Sequence, residues 1–161
     1  MATVRIADSP KVTTYLRWMI RRDIPAMLAI ENANFEFPWS EDDFSRCLRQ
    51  RNAIGMSAMD DANEKLFGYM IYELHKGRLH ILNFAVHAAM HRKGIGAAMV
   101  KKLAGKLSPQ RRSRIMVEVR ETNLDAQLFF RAMGFRCVDT LRDFYPMTPE
   151  DAYLFQLRYA P

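Results

Sequence analysis

The sequence predicts an α/β chain built on a mixed, mostly antiparallel twisted sheet with helices on both faces. Three observations predict it. Strand-like stretches over 53–59, 66–74 and 79–86 follow one another with short turns between them, the pattern of antiparallel hairpins. Ile95, Met99, Leu103 and Leu107 recur at four-residue spacing, which makes one apolar helical face. Ile115, Val117 and Val119 alternate along a strand, and the helical pattern behind it stops at Gly134.

In chain order, residues 1–14 read as a short N-terminal extension with a strand at 4–7, and residues 15–161 as one domain. Tyr15–Ile20 is rich in strand formers. Asp23 is placed to cap a helix that carries Pro25 in its first turn and runs to about Asn32. The aromatic loop Phe35–Trp39 follows, and then Ser40 with Asp43 as a capping box for a helix ending near Gln50. The turns 60–64 and Lys76-Gly77 separate the three central strands. A helix from Gly94, a strand over 115–120, a helix from Asn123 to Met133 and strands over 135–141 and 153–159 complete the order.

With 161 residues the chain suits one core, and no uncharged apolar run approaches the roughly 18–20 residues that span a bilayer. The absence of a long apolar stretch at the N-terminus argues against a secretory signal, and two scattered cysteines do not make a disulfide framework. A reducing cytoplasm is the expected location. The net charge of +6 fits nucleic acid, an anionic cofactor or a solubility bias. Without zinc-ligand spacing or an aromatic RNA-binding strand beside the basic groups, neither nucleic acid nor membrane is expected as a partner.

The run His91-Arg92-Lys93-Gly94-Ile95-Gly96-Ala97 follows a buried-type strand and opens a helix. Its glycines let the backbone approach a ligand without a Cβ in the way. Amides at a helix start, aided by the dipole, form an anion cradle. Arg92 and Lys93 add positive charge where a pyrophosphate would sit. The segment lacks the third glycine of the dinucleotide fingerprint and the Gly-Lys-Ser/Thr ending of a triphosphate loop.

On the next strand, Glu118 lies on the face opposite Ile115, Val117 and Val119, beside Met116. Such a carboxylate is either ion-paired with Arg114 or Arg120, or a general base. On the following helix Leu124, Leu128, Phe129 and Ala132 form the expected core stripe. Asn123, Gln127 and Phe130 fall on the opposite side, where an outward phenylalanine suggests a cofactor or substrate groove.

From Tyr15 to Tyr159 these features resemble the GNAT superfamily of N-acetyltransferases, and within it the bacterial ribosomal-protein-alanine N-acetyltransferases. The resemblance rests on Ile30-Glu31-Asn32 through Phe37-Pro38-Trp39-Ser40, on Asn83–Val86 followed by His91–Gly96, on Glu118-Val119-Arg120 with Asn123, and on Gly134-Phe135 leading to Arg142–Tyr145. It implies acetyl-coenzyme A as cosubstrate, with no metal. Amides of Phe84, Ala85 and Val86 would hold the acetyl group and pantetheine arm, and those of Arg92 to Ala97 the pyrophosphate. Asn123 and Phe130 would contact the cofactor, and Glu118 would deprotonate the amine. The resulting oxyanion would meet a strand amide near Ala85 or Val86. Two departures from the family pattern stand out: His91 replaces Gln or Arg, and Phe130 replaces the tyrosine that serves as acid. Tyr145 is a candidate substitute acid or a peptide clamp.

By the same resemblance the acceptor is a protein or peptide N-terminus, with Phe37, Trp39 and Tyr145 lining its groove. Glu36, Glu41, Asp42 and Asp43 suit a basic peptide such as the start of a ribosomal protein, although acidic groups in a first helical turn also serve capping. Acetylation of a small amine, a coenzyme A-binding module without strong catalysis, and a basic nucleic-acid-binding domain are the alternatives.

Overall fold

A computed structural model describes the backbone of residues 4–8, 12–62 and 64–161, with side chains from Thr14 onward. The strands are β1 (Val4–Asp8), β2 (Val12–Trp18), β3 (Ala53–Asp60), β4 (Leu66–Leu74), β5 (Arg78–Val86), β6 (Arg114–Arg120), β7 (Arg136–Leu141) and β8 (Ala152–Arg158). The α-helices are α1 (Ile24–Asn34), α2 (Glu41–Leu48), α3 (Ile95–Ala104) and α4 (Leu124–Ala132), with 3-10 turns at Arg21–Asp23 and Ala88–Met90. The chain groups into two compact units, one formed by Met1–Glu73 and Leu82–Lys102, the other by Leu74–Ile81 and Leu103–Pro161.

In the first unit β1, β2, β3 and β4 pair in sequence order, antiparallel from β1 to β4, with a bulge between Ala58 and Met59. The expected extension thus contributes a strand, and the first strand of the domain starts at Val12 rather than Tyr15. Residues 1–3, 9–11 and Asn63, which fall in the predicted extension and the predicted 60–64 turn, lie outside the described residues. Ile24, Met27 and Ile30 of α1 and Phe44 of α2 pack with Tyr69 and Ile71 of β4 into a closed apolar cluster. Tyr69 and Ile71, two residues apart, occupy the same face of β4 as its period of two requires.

In the second unit β5 runs parallel to β6 from Arg78 beside Arg114 to Ile81 beside Val117. Strand β8 is antiparallel to both β6 and β7. Ile115, Val117 and Val119 are buried, as their alternation predicts. The α3 face is also as expected, since Ile95, Met99, Leu103 and Leu107 are all buried.

The end of α4 explains a difference from the sequence reading. Gly134 takes φ +95°, its amide donates to Arg131 O, and the Phe135 amide reaches back to Phe130 O, both at 3.0 Å. This is a Schellman ending, which brings the residue after the glycine against the third residue from the helix end. Accordingly the Phe130 and Phe135 rings stack edge-on at 5.1 Å, with Phe155 at 6.4 Å. Phe130 is therefore 4% exposed, while Leu124 and Leu128, assigned above to the core stripe, are 62% and 55% exposed.

Asp23 also differs from expectation. It makes no side-chain cap for α1. Its carboxylate instead accepts two hydrogen bonds from Arg17, at 2.8 and 2.7 Å, and one each from the Ile20 amide and the Ser57 hydroxyl at 2.9 Å. The Ser40–Asp43 capping box does form, with reciprocal bonds of 2.9 and 3.1 Å. Burial works to raise the Asp23 carboxyl, but the Arg17, Ile20 and Ser57 donors outweigh it and hold it below its ordinary 3.8. A lowered folded value stabilises the fold above the unfolded value, and that contribution is lost as pH falls through the folded one. Asp23→Asn is expected to lose about 2–3 kcal/mol of unfolding free energy at pH 7. In urea titrations at stepped pH the gap to the parent should close progressively below pH 3.8.

Candidate functional site

The first unit holds the predicted phosphate cradle and its support. Leaving β5 at Val86, the chain makes a 3-10 turn capped by His87 and then rises into α3. Arg92 and Gly94 both take left-handed φ values, +61° and +82°. For glycine this conformation is free of steric cost, whereas for arginine it costs about 1 kcal/mol and persists only where the surroundings enforce it. Two left-handed residues so close together turn the backbone sharply, and turns of this kind present amides to an anion. The Ala98 amide closes onto Gly94 O at 2.9 Å. The amides of Ile95 to Ala97 thus precede the first full turn of α3 and lack helical acceptors. Arg92 is exposed and Lys93 half-buried. Backbone donors, a glycine turn and two cations fit a pyrophosphate.

His91, the first departure from the family pattern, has a structural use. Its Nε2 lies 2.7 Å from Val86 O, and because a carbonyl only accepts, the ring donates through Nε2–H. Asn34 Nδ2 donates to the same carbonyl at 3.0 Å. Two side chains therefore fix the point where β5 gives way to the loop. Across the ladder, a Cβ on Gly68 would meet Ala85 O at 3.0 Å, so only glycine lets β4 come this close to the Phe84–Val86 segment.

Glu31 ties these parts together. It is 2% exposed and accepts from the Tyr69 hydroxyl, from Asn83 Nδ2 at 2.9 Å and from the Trp39 amide at 2.8 Å. A buried carboxylate is tolerated when donors surround it. Burial, with the Glu31 charge beside it, pushes the Tyr69 phenol well above its ordinary value, so the hydroxyl stays a donor. Trp39, predicted to bind substrate, packs at 5.2 Å on Phe44, which meets Tyr69 edge-on at 5.7 Å. Phe37 is half-buried in the same loop.

The second unit brings Glu118, Arg120 and Tyr145 together. Glu118 pairs with neither Arg114 nor Arg120. Its Oε2 lies 2.6 Å from His80 Nε2, and its other oxygen has no protein partner among the described residues. Arg120 is occupied elsewhere, donating to Glu150 at 2.7 Å and Thr148 at 3.1 Å while its guanidinium covers the Tyr145 ring at 3.7 Å. Burial pushes the Tyr145 phenol up to about 12, with Arg120 opposing and Glu118 and Glu150 adding. Asn123 serves as N-cap of α4, its Oδ1 accepting from the Ala126 amide at 3.1 Å.

His80 is the residue sequence reading missed. It precedes the cradle on β5 and pairs across the ladder with Met116, two residues before Glu118 and on the same face. Knowing that β5 and β6 pair in parallel at this register would have revealed it. A cavity of about 380 Å³, lined by small α1 residues with Lys65, Leu66 and His87, includes none of the predicted site residues.

Comparison with known proteins follows the same lines. The family model described as the acetyltransferase (GNAT) family matches residues 24–135. The chain is similar to the ribosomal protein bS18-alanine N-acetyltransferase of Escherichia coli K12, with 28% identity over 137 residues, 84% of this chain and 90% of that one. The crystal structure of the ribosomal-protein-S18-alanine N-acetyltransferase from Escherichia coli superposes with a TM-score of 0.79 at 25% identity, covering 92% of this chain and 95% of the other. Arabidopsis thaliana NAA60 in complex with acetyl-CoA shares the fold, with a TM-score of 0.79, 19% identity and coverage of 90% and 98%.

Replacing Glu31 with alanine leaves the Tyr69 hydroxyl, the Asn83 amide and the Trp39 amide without their acceptor. Glu31→Ala is expected to cost about 3–5 kcal/mol, measured as a shift of the urea unfolding midpoint.

Proposed function

Because the chain belongs to the acetyltransferase (GNAT) family, we propose that it transfers acetyl from acetyl-coenzyme A to the N-terminal amine of a protein or peptide. The acceptor class is that named for the similar Escherichia coli enzyme, the alanine N-terminus of a ribosomal protein. Glu118 carries this reading: a strand carboxylate with one oxygen anchored and the other open is arranged to take a proton.

When bound, acetyl-coenzyme A supplies an acetyl group already activated as a thioester. Amides of Arg92 to Ala97, with the Arg92 and Lys93 charges, hold its pyrophosphate. Phe84, Ala85 and Val86 offer strand amides to the acetyl and pantetheine end, whereas Phe130, 4% exposed against Phe135 and Phe155, is not open to a cofactor. An amine terminus is mostly protonated at neutral pH, so Glu118 first takes one proton from the ammonium group. The nitrogen lone pair then forms the C–N bond as the C–S bond breaks; the sulfur departs as thiolate and the second nitrogen proton passes to water.

Phe130 offers no proton. A thiol with a value of about 8.5 leaves acceptably as thiolate, so the reaction does not require one. Tyr145, held near 12, is a poor donor to such a thiolate, because transfer would run uphill by roughly 5 kcal/mol at about 1.4 kcal/mol per unit. We assign it to clamping the acceptor peptide. Glu36, Glu41 and Asp42 are exposed and suit a basic peptide, whereas Asp43 is engaged in the α2 cap. The two cysteines are free thiols, and no described helix is long and apolar enough to cross a membrane. Both facts accord with work in the cytoplasm.

Thiol release from acetyl-coenzyme A, measured against peptides with free N-termini and against polyamines and aminoglycosides, tests the acceptor. Release with peptides alone is expected, and release only with small amines would replace the reading. Glu118→Gln should lower kcat by about 10²–10⁴-fold with acetyl-coenzyme A binding retained. A normal rate would remove Glu118 as base. Tyr145→Phe should raise the peptide KM while kcat stays within about threefold. A loss of kcat alone, at unchanged KM, would return Tyr145 to the role of acid.

A further inference from the structure

We propose that His80 is a positioning residue for the reaction, holding one oxygen of Glu118 so that the other faces the acceptor amine. The inference rests on the reading of Glu118 as base. Its observations are independent of that reading: a 2.6 Å contact between His80 Nε2 and Glu118 Oε2, and no described partner on Oε1.

A glutamate on a strand has three side-chain torsions, and without an anchor its carboxylate samples several rotamers. Oε2 carries no proton while Glu118 is a carboxylate, so the bond has one direction, with His80 donating Nε2–H and Glu118 accepting. A charge-assisted donor of this kind fixes both rotamer and plane. The two side chains are similarly placed, 20% and 19% exposed, so neither is sealed from a substrate. The alternative anchor would be a guanidinium. Arg120, two residues along β6 on the same face, is held away by Glu150 and Thr148. An arginine pair would hold the carboxylate as a permanent anion and weaken it as a base. The imidazole anchors it with a single bond instead.

The neighbourhood of His80 also shows how it is steadied. The His75 ring lies 6.2 Å from it, tilted by 45°. The β4–β5 turn that carries His75 is closed by its amide on Arg78 O at 3.0 Å, and Arg112 Nε donates to His75 O at 2.9 Å. Parallel pairing of β5 with β6 sets the register, placing His80 beside Met116 and within reach of Glu118. Backbone pairing thus delivers two residues 38 positions apart to one contact.

A residue acting through Glu118 has a signature that a merely structural one lacks. His80→Leu and His80→Asn, neither of which can reach Oε2, should each lower kcat by about 10²-fold with the KM for acetyl-coenzyme A unchanged. His80→Gln, whose amide reaches as far as Nε2, should recover most of the rate. In a Glu118→Gln background His80→Asn should cause no further loss, because the group it positions is gone. Melting temperatures of all variants establish that each is folded, and the polar asparagine keeps the test available should the leucine variant fail. Wild-type rate in His80→Asn, or an undiminished loss in the Glu118→Gln background, would overturn the proposal. A wild-type rate in Glu118→Gln itself would instead overturn the general base, whatever His80 does.

Discussion

The first unit is organised by a charge taken out of water. A carboxylate such as Glu31, 2% exposed on α1, is tolerable only if nearly every lone pair meets a donor. The donors come from three other parts of the chain: Tyr69 on β4, Asn83 on β5 and the Trp39 amide at the entrance to α2. Each is thereby held in place. Asn83 lies immediately before Phe84–Val86, and Val86 O is itself fastened by Asn34 from the end of the same helix. The strand segment that leads into the phosphate cradle is thus fixed from α1 at two points.

Such rigidity suits the role proposed for this segment. Backbone amides stabilise charge best when they are aimed before the ligand arrives, since no reorganisation is then needed at the moment of reaction. The left-handed Arg92 fits the same logic, because strain of about 1 kcal/mol is kept only where the surrounding structure over-determines it. The second unit follows the rule from another direction. Arg120 is diverted to Glu150 and Tyr145, which leaves Glu118 with an imidazole rather than a guanidinium for company.

What the sequence revealed is what depends on local spacing. The Ser40–Asp43 box, the buried face of α3 and the Gly134 stop all lie within one turn or one face, and all formed as read. What it concealed depends on register. His80 meets Glu118 through a parallel pairing that composition does not encode. Asp23 follows a helix-start pattern, yet its carboxylate serves Arg17 and Ser57 from two strands. On α4, helical periodicity alone puts Leu124 and Leu128 on the core stripe, whereas the fold buries Phe130. The Gly134-Phe135 pair already carried the contrary signal, since a Schellman ending draws Phe135 onto Phe130.

The decisive question is which nitrogen becomes acetylated. A basic peptide with a free N-terminal alanine and an internal lysine, incubated with the chain and acetyl-coenzyme A, can be fragmented and weighed by tandem mass spectrometry. One acetyl group on the N-terminal nitrogen is expected, and none when that nitrogen is blocked beforehand. Acetylation of the lysine side chain in the blocked peptide at an equal rate would contradict this expectation.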